Sequence, residues 1–445
     1  MGEGARKGID LFAGPGGLSL GLISAGFEMI GAVEWDPHAG RTYRHNIGDH
    51  VYVRDLRGFG PRDMERALKK EGSIRSKYEI DLISGGPPCP GFSLIGRSKI
   101  SNLIHTGQWE GSDSRHRFID DERNELFREF VKYVSHFKPR YFLMENVSGM
   151  TSYKSGENSP IVDVIKSEFE NLGYRVKSEV LLASEFGVPQ NRKRIIFLGW
   201  KKGQREPDFP SEFNWKITAA EAIQDLPPVD PSTGRPTSEK LKRMAEIPRK
   251  GSPGYSFLQR VRRESTPLTK PTAGLRVTLH HTRKVNPRDV GIFPLLESGE
   301  LGDRVLYKDV YPKRLDEVIL PSGYIHSTVE GSPVVVGTGS GDNRSWKWYD
   351  PTKFGDKMRR IRGDRPAPTI VAHLAKDGYM FIHPYEDRTI TVREAARFQS
   401  FPDSFDLSAG GANPISSQFR QVGNAVPPIL AEALGLCLLK AMESD

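Results

Sequence analysis

Cysteine is nearly absent: 445 residues carry two. That excludes a disulfide framework and an all-cysteine structural zinc site, and it suits a reducing compartment. Long apolar runs are missing too. The nearest to a membrane span, ILAEALGLCLLKAM, is interrupted by Glu432 and closed by Lys440. The N-terminus, MGEGARKGID, has no signal-peptide apolar region, and Arg6 stands where a myristoylation site needs Ser or Thr. No internal repeat or long low-complexity tract occurs, and no metal site is expected. With 37% hydrophobic and 27% charged residues, the chain reads as a globular protein of the cytoplasm with two or three domains.

What is present begins with charge. The net charge is +8, and residues 241–290 hold twelve Lys/Arg against three Asp/Glu. The rest of the chain is therefore about neutral. A second basic cluster runs from Lys353 to Arg365. A single such cluster is usually a solvated face; two in one half of the chain point toward a polyanion, most simply nucleic acid.

The first 200 residues alternate between strand-like and helix-like stretches. GIDLFA, MIGAVEW, YEIDLISGG, RYFLMENV, YRVKSEVLL and RIIFLGW read as strands. LSLGLISAGF, ERNELFREFVKYVSHF and IVDVIKSEFENLG read as helices, the second with apolar residues at Leu126, Phe127, Phe130, Val131 and Val134. This rhythm predicts an α/β domain with a largely parallel sheet. From about residue 201, Pro and Gly become dense and helical periodicity fades, as in a smaller, irregular domain of short strands and loops. Helices return at Val392 and Ile429.

In open α/β sheets, ligands bind beyond the carboxyl ends of the strands. Four strand-end sequences therefore matter: AGPGG, VEWD, GGPPCPGFS and MENV. DLFAGPGGLSLGL is a strand, a Gly-rich turn and a helix. It is not a P-loop, because no Gly-Lys-Ser/Thr follows, and Ser19 breaks the dinucleotide fingerprint. Glu34 lies where an acid can bind ribose hydroxyls, Trp35 offers a flat face to an adenine, and Asp55–Leu56 can supply a further acceptor. Together they favour an adenosine-containing cofactor held by Phe12, Ala13, Gly14, Gly16, Gly17, Leu18, Glu34, Trp35, Asp55 and Leu56.

Cys89 is wedged among Pro87, Pro88 and Pro90. An isolated cysteine is usually a small buried hydrophobe. A rigid turn at a strand end is instead where a nucleophile is held still, if positive charge favours its thiolate. Glu145 stands at another strand end, and Arg192 and Arg194 precede a strand, with alternation placing both arginines on one side. Each has a plainer reading, as a helix-start carboxylate or as edge-strand charges.

In their order along the chain, these motifs resemble those of the C5-cytosine DNA methyltransferases. DLFAGPGG is similar to that family's cofactor turn, GGPPCPGFS to its nucleophile turn, MENV to its glutamate motif and QNRKR to its arginine motif. RTITVREAARFQSFPD and QVGNAVPP resemble the two closing motifs, and the gap from about 201 to 365 matches the variable target-recognition region. Many members carry Gln directly after the nucleophile; Pro90 stands here. The resemblance implies an S-adenosylmethionine-dependent, Rossmann-like sheet domain, residues 1–200 with 418–445, and a target-recognition domain, residues 201–417. It implies a covalent adduct of Cys89 with C6 of a flipped cytosine, Glu145 on N3 and the exocyclic amine, Arg194 on O2, and electrostatic support from Arg192. Pro88, Asn424, Ala425 and Val426 join the cofactor set.

Duplex DNA is the implied partner, because C5 is reachable only after the base leaves the stack. The segment Leu94–Glu122 is a candidate lid over the flipped base, its alternative a surface insertion. Ser93, Arg97, Arg276, His280, His281, Arg283, Lys284 and Arg344 are candidate DNA contacts. A monomer is expected, protecting DNA against a cognate restriction endonuclease that acts separately. Three other readings compete. An RNA cytosine-5 methyltransferase of the same family would lack the long variable region. A catalytically silent DNA-binding relative would not need Cys89, Glu145, Arg192 and Arg194 together. A nicotinamide-dependent oxidoreductase rests on the Gly-rich turn alone.

Overall fold

The computed structural model describes residues 5–88, 126–152, 160–237, 248–270, 278–283, 293, 296, 359–376 and 378–443, and the backbone of four short strands between 316 and 347. The alternating pattern of the N-terminal half folds as read. The chain runs β1 (Lys7–Leu11), α1 (Gly17–Ala25), β2 (Glu28–Glu34), α2 (Pro37–Asn46), β3 (Val51–Val53), α3 (Pro61–Lys70) and β4 (Leu82–Gly85). It continues through α4 (Leu126–Phe137), β5 (Tyr141–Val147), α5 (Ile161–Glu170), β6 (Tyr174–Leu182), β7 (Gln190–Asn191) and β8 (Lys193–Lys201). Seven of these strands form one sheet in the order β3-β2-β1-β4-β5-β8-β6.

Strands β1 to β5 pair in parallel, whereas β8 runs antiparallel to both neighbours, β5 and β6. The sheet is therefore mixed. The arginines at the start of β8 are not edge-strand charges, because that strand is interior. Chain connections leave β1 and β4 in opposite directions across the sheet, which opens a crevice at their carboxyl ends. Buried Asp10 fixes the start of that crevice: its carboxylate accepts from Ser19 Oγ of α1 (2.6 Å) and Ser84 Oγ of β4 (3.3 Å).

Both faces of the sheet are covered. Met64 and Leu68 of α3, Phe130 and Val134 of α4, and Ile165 and Phe169 of α5 fill one face. Leu18 and Leu22 of α1 fill the other together with Leu430, Leu434 and Leu438 of the C-terminal helix. Burial on both faces explains why the central strands read as continuous apolar runs.

The later helices are α6 (Ala219–Ile223), α7 (Pro253–Arg263), α8 (Val392–Phe398), α9 (Ile415–Asn424) and α10 (Pro428–Met442). Residues from α6, α7 and the stretch 361–425 share one core with Ala13, Leu20, Ala32 and Tyr43. The C-terminal stretch thus packs directly on the sheet domain. The four short strands, Asp316–Ile319, Ile325–Val329, Ser332–Thr338 and Ser345–Lys347, pair antiparallel in a separate sheet, as the loop-rich texture of this region predicts.

Ile415–Met442 reaches the length and mean hydropathy (1.6) of a membrane span, with most of its apolar residues in α10. In the fold the stretch is two helices broken at Ala425–Pro427, and 61% of its most apolar window is buried within the protein.

Counting charges misjudged several arginines. Arg360, in the second basic cluster, is buried and donates to the carbonyls of Leu296, His383 and Glu386 and to Asp387. In the first cluster, Arg260 pairs with Glu264 and Glu432, and Arg262 with Asp225. Deeper still, Arg388 grips Glu394 with two bonds of 2.8 and 2.7 Å, both side chains essentially inaccessible. That guanidinium holds the Glu394 carboxyl far below the usual carboxylate range despite burial. Removing one partner of such a pair leaves an uncompensated buried charge. Arg388→Met should therefore lower the unfolding free energy by about 3–5 kcal/mol in urea titrations followed by circular dichroism. Arg362→Ala, at an exposed pair with Asp364, should leave the midpoint unchanged within error.

Candidate active site

The crevice at the ends of β1 and β4 is a cleft of about 440 Å³. Its lining comes from remote parts of the chain: Phe12, Gly14 and Pro15 after β1, Glu34 to Pro37 after β2, Gly86 to Pro88 after β4, and Glu145 to Val147 at the end of β5. Arg192 and Arg194 from the start of β8, and Arg420, Gln421, Gly423 and Asn424 from α9, complete it.

At one end lies an acid–aromatic pair. Glu34 Oε2 accepts from Gly14 N (2.8 Å) and Oε1 from Asp36 N (2.7 Å). Burial pushes this carboxyl up to about 7, an effect the two backbone donors only partly offset. Trp35 beside it is 72% exposed, an indole face open to a planar ligand. Asp36 caps α2 by accepting from His38 N, and its other oxygen takes Arg420 Nη2 at 2.9 Å. Gly14 has φ 58°, and a Cβ placed there would meet nothing within 4 Å. The turn thus combines a left-handed backbone with open space, a cradle for a ligand. Phe12 also sits at φ 58°, a conformation costly for an aromatic residue and typical of ligand-clamping sites.

The polar end is built by sheet register. Val147 lies opposite Arg194, and Glu145 opposite Ile196. Glu145 and Arg194 are therefore diagonal neighbours on one face, and Arg194 Nε meets Glu145 Oε1 at 2.7 Å. Both side chains are about one-eighth accessible. Burial lowers the Arg194 proton affinity, and the Glu145 carboxylate opposes that loss. Arg192 precedes β8 and turns inward. It is fully buried and donates to Ile370 O (2.9 Å) and Gly423 O (3.2 Å). Burial first, then the neighbouring Arg194, drive its proton affinity well below the ordinary value.

The other sequence-derived candidates separate. Phe12, Gly14, Glu34, Trp35, Pro88, Asn424, Glu145, Arg192 and Arg194 line the cleft. Ala13, Gly16, Gly17, Leu18 and Ala425 are buried behind it, and Val426 is half-buried. Gly17 packs so closely that a Cβ would lie 2.3 Å from Val426 O, which locks the first turn to the last motif. Asp55 and Leu56 are not among the lining residues: Asp55 is bound to Arg57, and Leu56 is in the core. His280 is corrected from a DNA contact to an interior residue, with Nδ1 on Thr391 Oγ1 (3.1 Å) and Nε2 on Pro227 O (2.6 Å). His281 is half-buried, and Arg283 is tied to the carbonyls of Ala375 and Lys376. Cys89, Ser93, Arg97, Arg276, Lys284, Arg344 and the Leu94–Glu122 segment lie outside the described residues. Sequence reading passed over Asn146, Asp36, Arg420 and Gln421. The signal for Asn146 was its place inside MENV, and that for Arg420 its adjacency to QVGNAVPP.

A two-sided α/β sheet with an acid–aromatic cofactor end and an Arg–Glu pair in one cleft defines a group-transfer enzyme of the Rossmann-like class. The chain belongs to the C-5 cytosine-specific DNA methylase family, whose sequence pattern matches residues 6–440. It is a DNA (cytosine-5-)-methyltransferase, and membership implies S-adenosylmethionine as methyl donor. It is similar to the type II methyltransferase M.AgeI of Thalassovita gelatinovora, 31% identical over 96% of this chain and 98% of that protein. It is also similar to M1.HphI of Haemophilus parahaemolyticus, 32% identical over 97% and 86%. Among solved structures, a prophage-encoded DNA modification methyltransferase of E. coli superposes with TM-score 0.64 at 25% identity, covering 99% of this chain and all of that one.

The cleft fits such a donor: an open indole face, a neighbouring buried carboxyl and an uncrowded glycine turn meet there. An ionised Glu34 is the better acceptor for ribose hydroxyls. With its carboxyl near 7, protonation below that pH should weaken binding. Calorimetry with S-adenosylmethionine should show affinity falling about tenfold from pH 8 to pH 6, and Glu34→Gln should flatten this dependence. An equally steep profile in the variant would remove Glu34 from the explanation.

Proposed function

We propose that this enzyme methylates C5 of a flipped cytosine within a specific duplex DNA sequence, through a covalent bond from Cys89 to C6. It acts as the modification enzyme of a type II restriction-modification system in the bacterial cytoplasm. The observation that carries the chemistry is the Arg194–Glu145 pair at 2.7 Å in the same cleft as the cofactor end.

Cytosine C5 is a poor nucleophile. Addition of the Cys89 thiolate to C6 forms a C–S bond and moves electron density toward C5, splitting one hard step into easier ones. Glu145 shares a proton with N3 and accepts from the exocyclic amine, which neutralises charge developing on the ring. Arg194 orients Glu145 and reaches the base O2, and Arg192 contributes fixed positive charge from below. When bound, S-adenosylmethionine would supply an electrophilic methyl group to C5, its sulfonium sulfur keeping the bonding pair and leaving as a neutral thioether. Loss of the C5 proton then lets the C–S bond break, returning the electron pair to sulfur and restoring aromaticity.

Region 201–365 supplies the sequence specificity, and its basic residues meet phosphates. The kinship with type II enzymes supports a restriction endonuclease of the same specificity, acting separately.

Bisulfite sequencing of DNA from cells expressing the protein tests the reaction and reads its target together. Protected cytosines should concentrate in one short sequence and vanish with Cys89→Ser. Methylation of RNA with none on duplex DNA would overturn the reading. Glu145→Gln should reduce kcat by about 10²–10⁴-fold while duplex binding, followed by gel shift, persists.

A further inference from the structure

We propose that β6 is a self-association surface, along which two copies of this chain pair antiparallel and join their sheets edge to edge.

β6 (Tyr174–Leu182) closes one side of the seven-stranded sheet, with β8 as its neighbour. Register shows which of its backbone groups remain free. In an antiparallel pair, alternate residues turn their N–H and C=O toward the neighbouring strand. Lys202 N donates to Gly173 O at 3.0 Å, and Ala183 N to Arg192 O at 2.9 Å, just beyond the two ends of β6. Both bonds turn odd-numbered residues toward β8. Tyr174, Val176, Ser178, Val180 and Leu182 therefore point their amides away from the sheet, and these have no partner among the described residues. Such a row is a template for another strand. It holds no proline, and Val180 is 43% exposed.

The charges on the strand select the partner and its register. Because only the even-numbered residues offer free amides, they must lie opposite one another. A two-fold axis then passes through a residue, not between two. Centred on Ser178, the middle of the strand, it pairs the full length of β6. Lys177 then meets Glu179 of the second copy twice over, and Val176 meets Val180. Moving the axis to Lys177 or to Glu179 sets that charge against itself, which is unfavourable. Charges on an edge strand commonly deter pairing; here they deter the neighbouring registers and match one. Lys177 Nζ now rests 3.2 Å from Glu206, a carboxylate 57% accessible, and an ion pair of that kind costs little to exchange.

β6 runs parallel to β5, since β8 is antiparallel to both. The second copy's strands run the other way, so the two clefts open at opposite edges of the joined sheet. Pairing thus requires nothing of either cleft and goes beyond methylation by a single chain.

Sedimentation velocity of the full chain over a concentration series tests the surface. The wild type should pass from monomer to dimer. Lys177→Glu and Glu179→Lys each oppose like charges and should weaken dimerisation about 10- to 100-fold. Combining the two exchanges should restore it, a rescue that a general loss of stability would not give. Ser178→Cys reports the register. Directly opposed residues of this type lie about 5.5 Å apart at Cα, within disulfide reach. Mild oxidation should therefore join 178 to 178 between chains, as read by peptide mass spectrometry. A wild type that stays monomeric at every concentration overturns the inference. So does a dimer that both single variants leave intact, or a double variant no tighter than the singles. If circular dichroism shows a single variant misfolded, Ser178→Cys decides, and absence of the 178–178 link overturns the pairing.

Discussion

The buried guanidinium of Arg192 is the contact on which the cleft depends. A fully desolvated cation is expensive, and among the described residues no carboxylate bonds it directly. Its charge is spread into the carbonyls of Ile370 and Gly423, 178 and 231 residues away in sequence. Those bonds satisfy two donors while pinning three remote segments to one point. Neighbouring amides continue the pinning. Gln190 donates to Phe398 O and Gln399 Oε1 and accepts from Ile370 N, while Gln399 donates to Val422 O and Ala425 O. Cleft walls that sequence places hundreds of residues apart become one rigid floor.

That floor sets the electrostatics of the site. Burial lowers the proton affinity of both arginines, Arg194 lowers that of Arg192 further, and Glu145 opposes the loss in each. An acid beside two guanidinium groups in a low-dielectric cleft is preorganised: its field is set before any ligand arrives. Gly17 locks the first turn against Val426 O from behind, so the cofactor end is bound to the same C-terminal motif that Arg192 holds. The two ends of the cleft share one support.

Much of this was legible in the sequence because strand ends are where α/β sheets place chemistry. Alternating elements, the glycine turn, Glu34, Trp35, Glu145 and the paired arginines were all readable from pattern and position. What failed shares a physical cause: pattern does not reveal partners. His280 and Arg360 read as polar surface residues because nothing local announces their buried acceptors. The charge count over 241–290 could not see Glu432 or Asp225 pairing with Arg260 and Arg262. Asn146 was passed over because pattern does not show its bond to Pro87 O, 59 residues earlier.

The antiparallel strand β8 could not be read from periodicity either, since a strand buried on both faces looks the same in either direction. Its direction is nevertheless what makes the site possible. Parallel strands deliver only their carboxyl ends to the ligand edge of the sheet. An antiparallel strand delivers its start there, so the residues before and at the beginning of β8 arrive beside the end of β5. Reversing one strand thus brings Arg192 and Arg194 to Glu145 without a long return loop. The following residues Ile195 to Leu198 stay buried in the sheet, and that anchorage holds the arginines still.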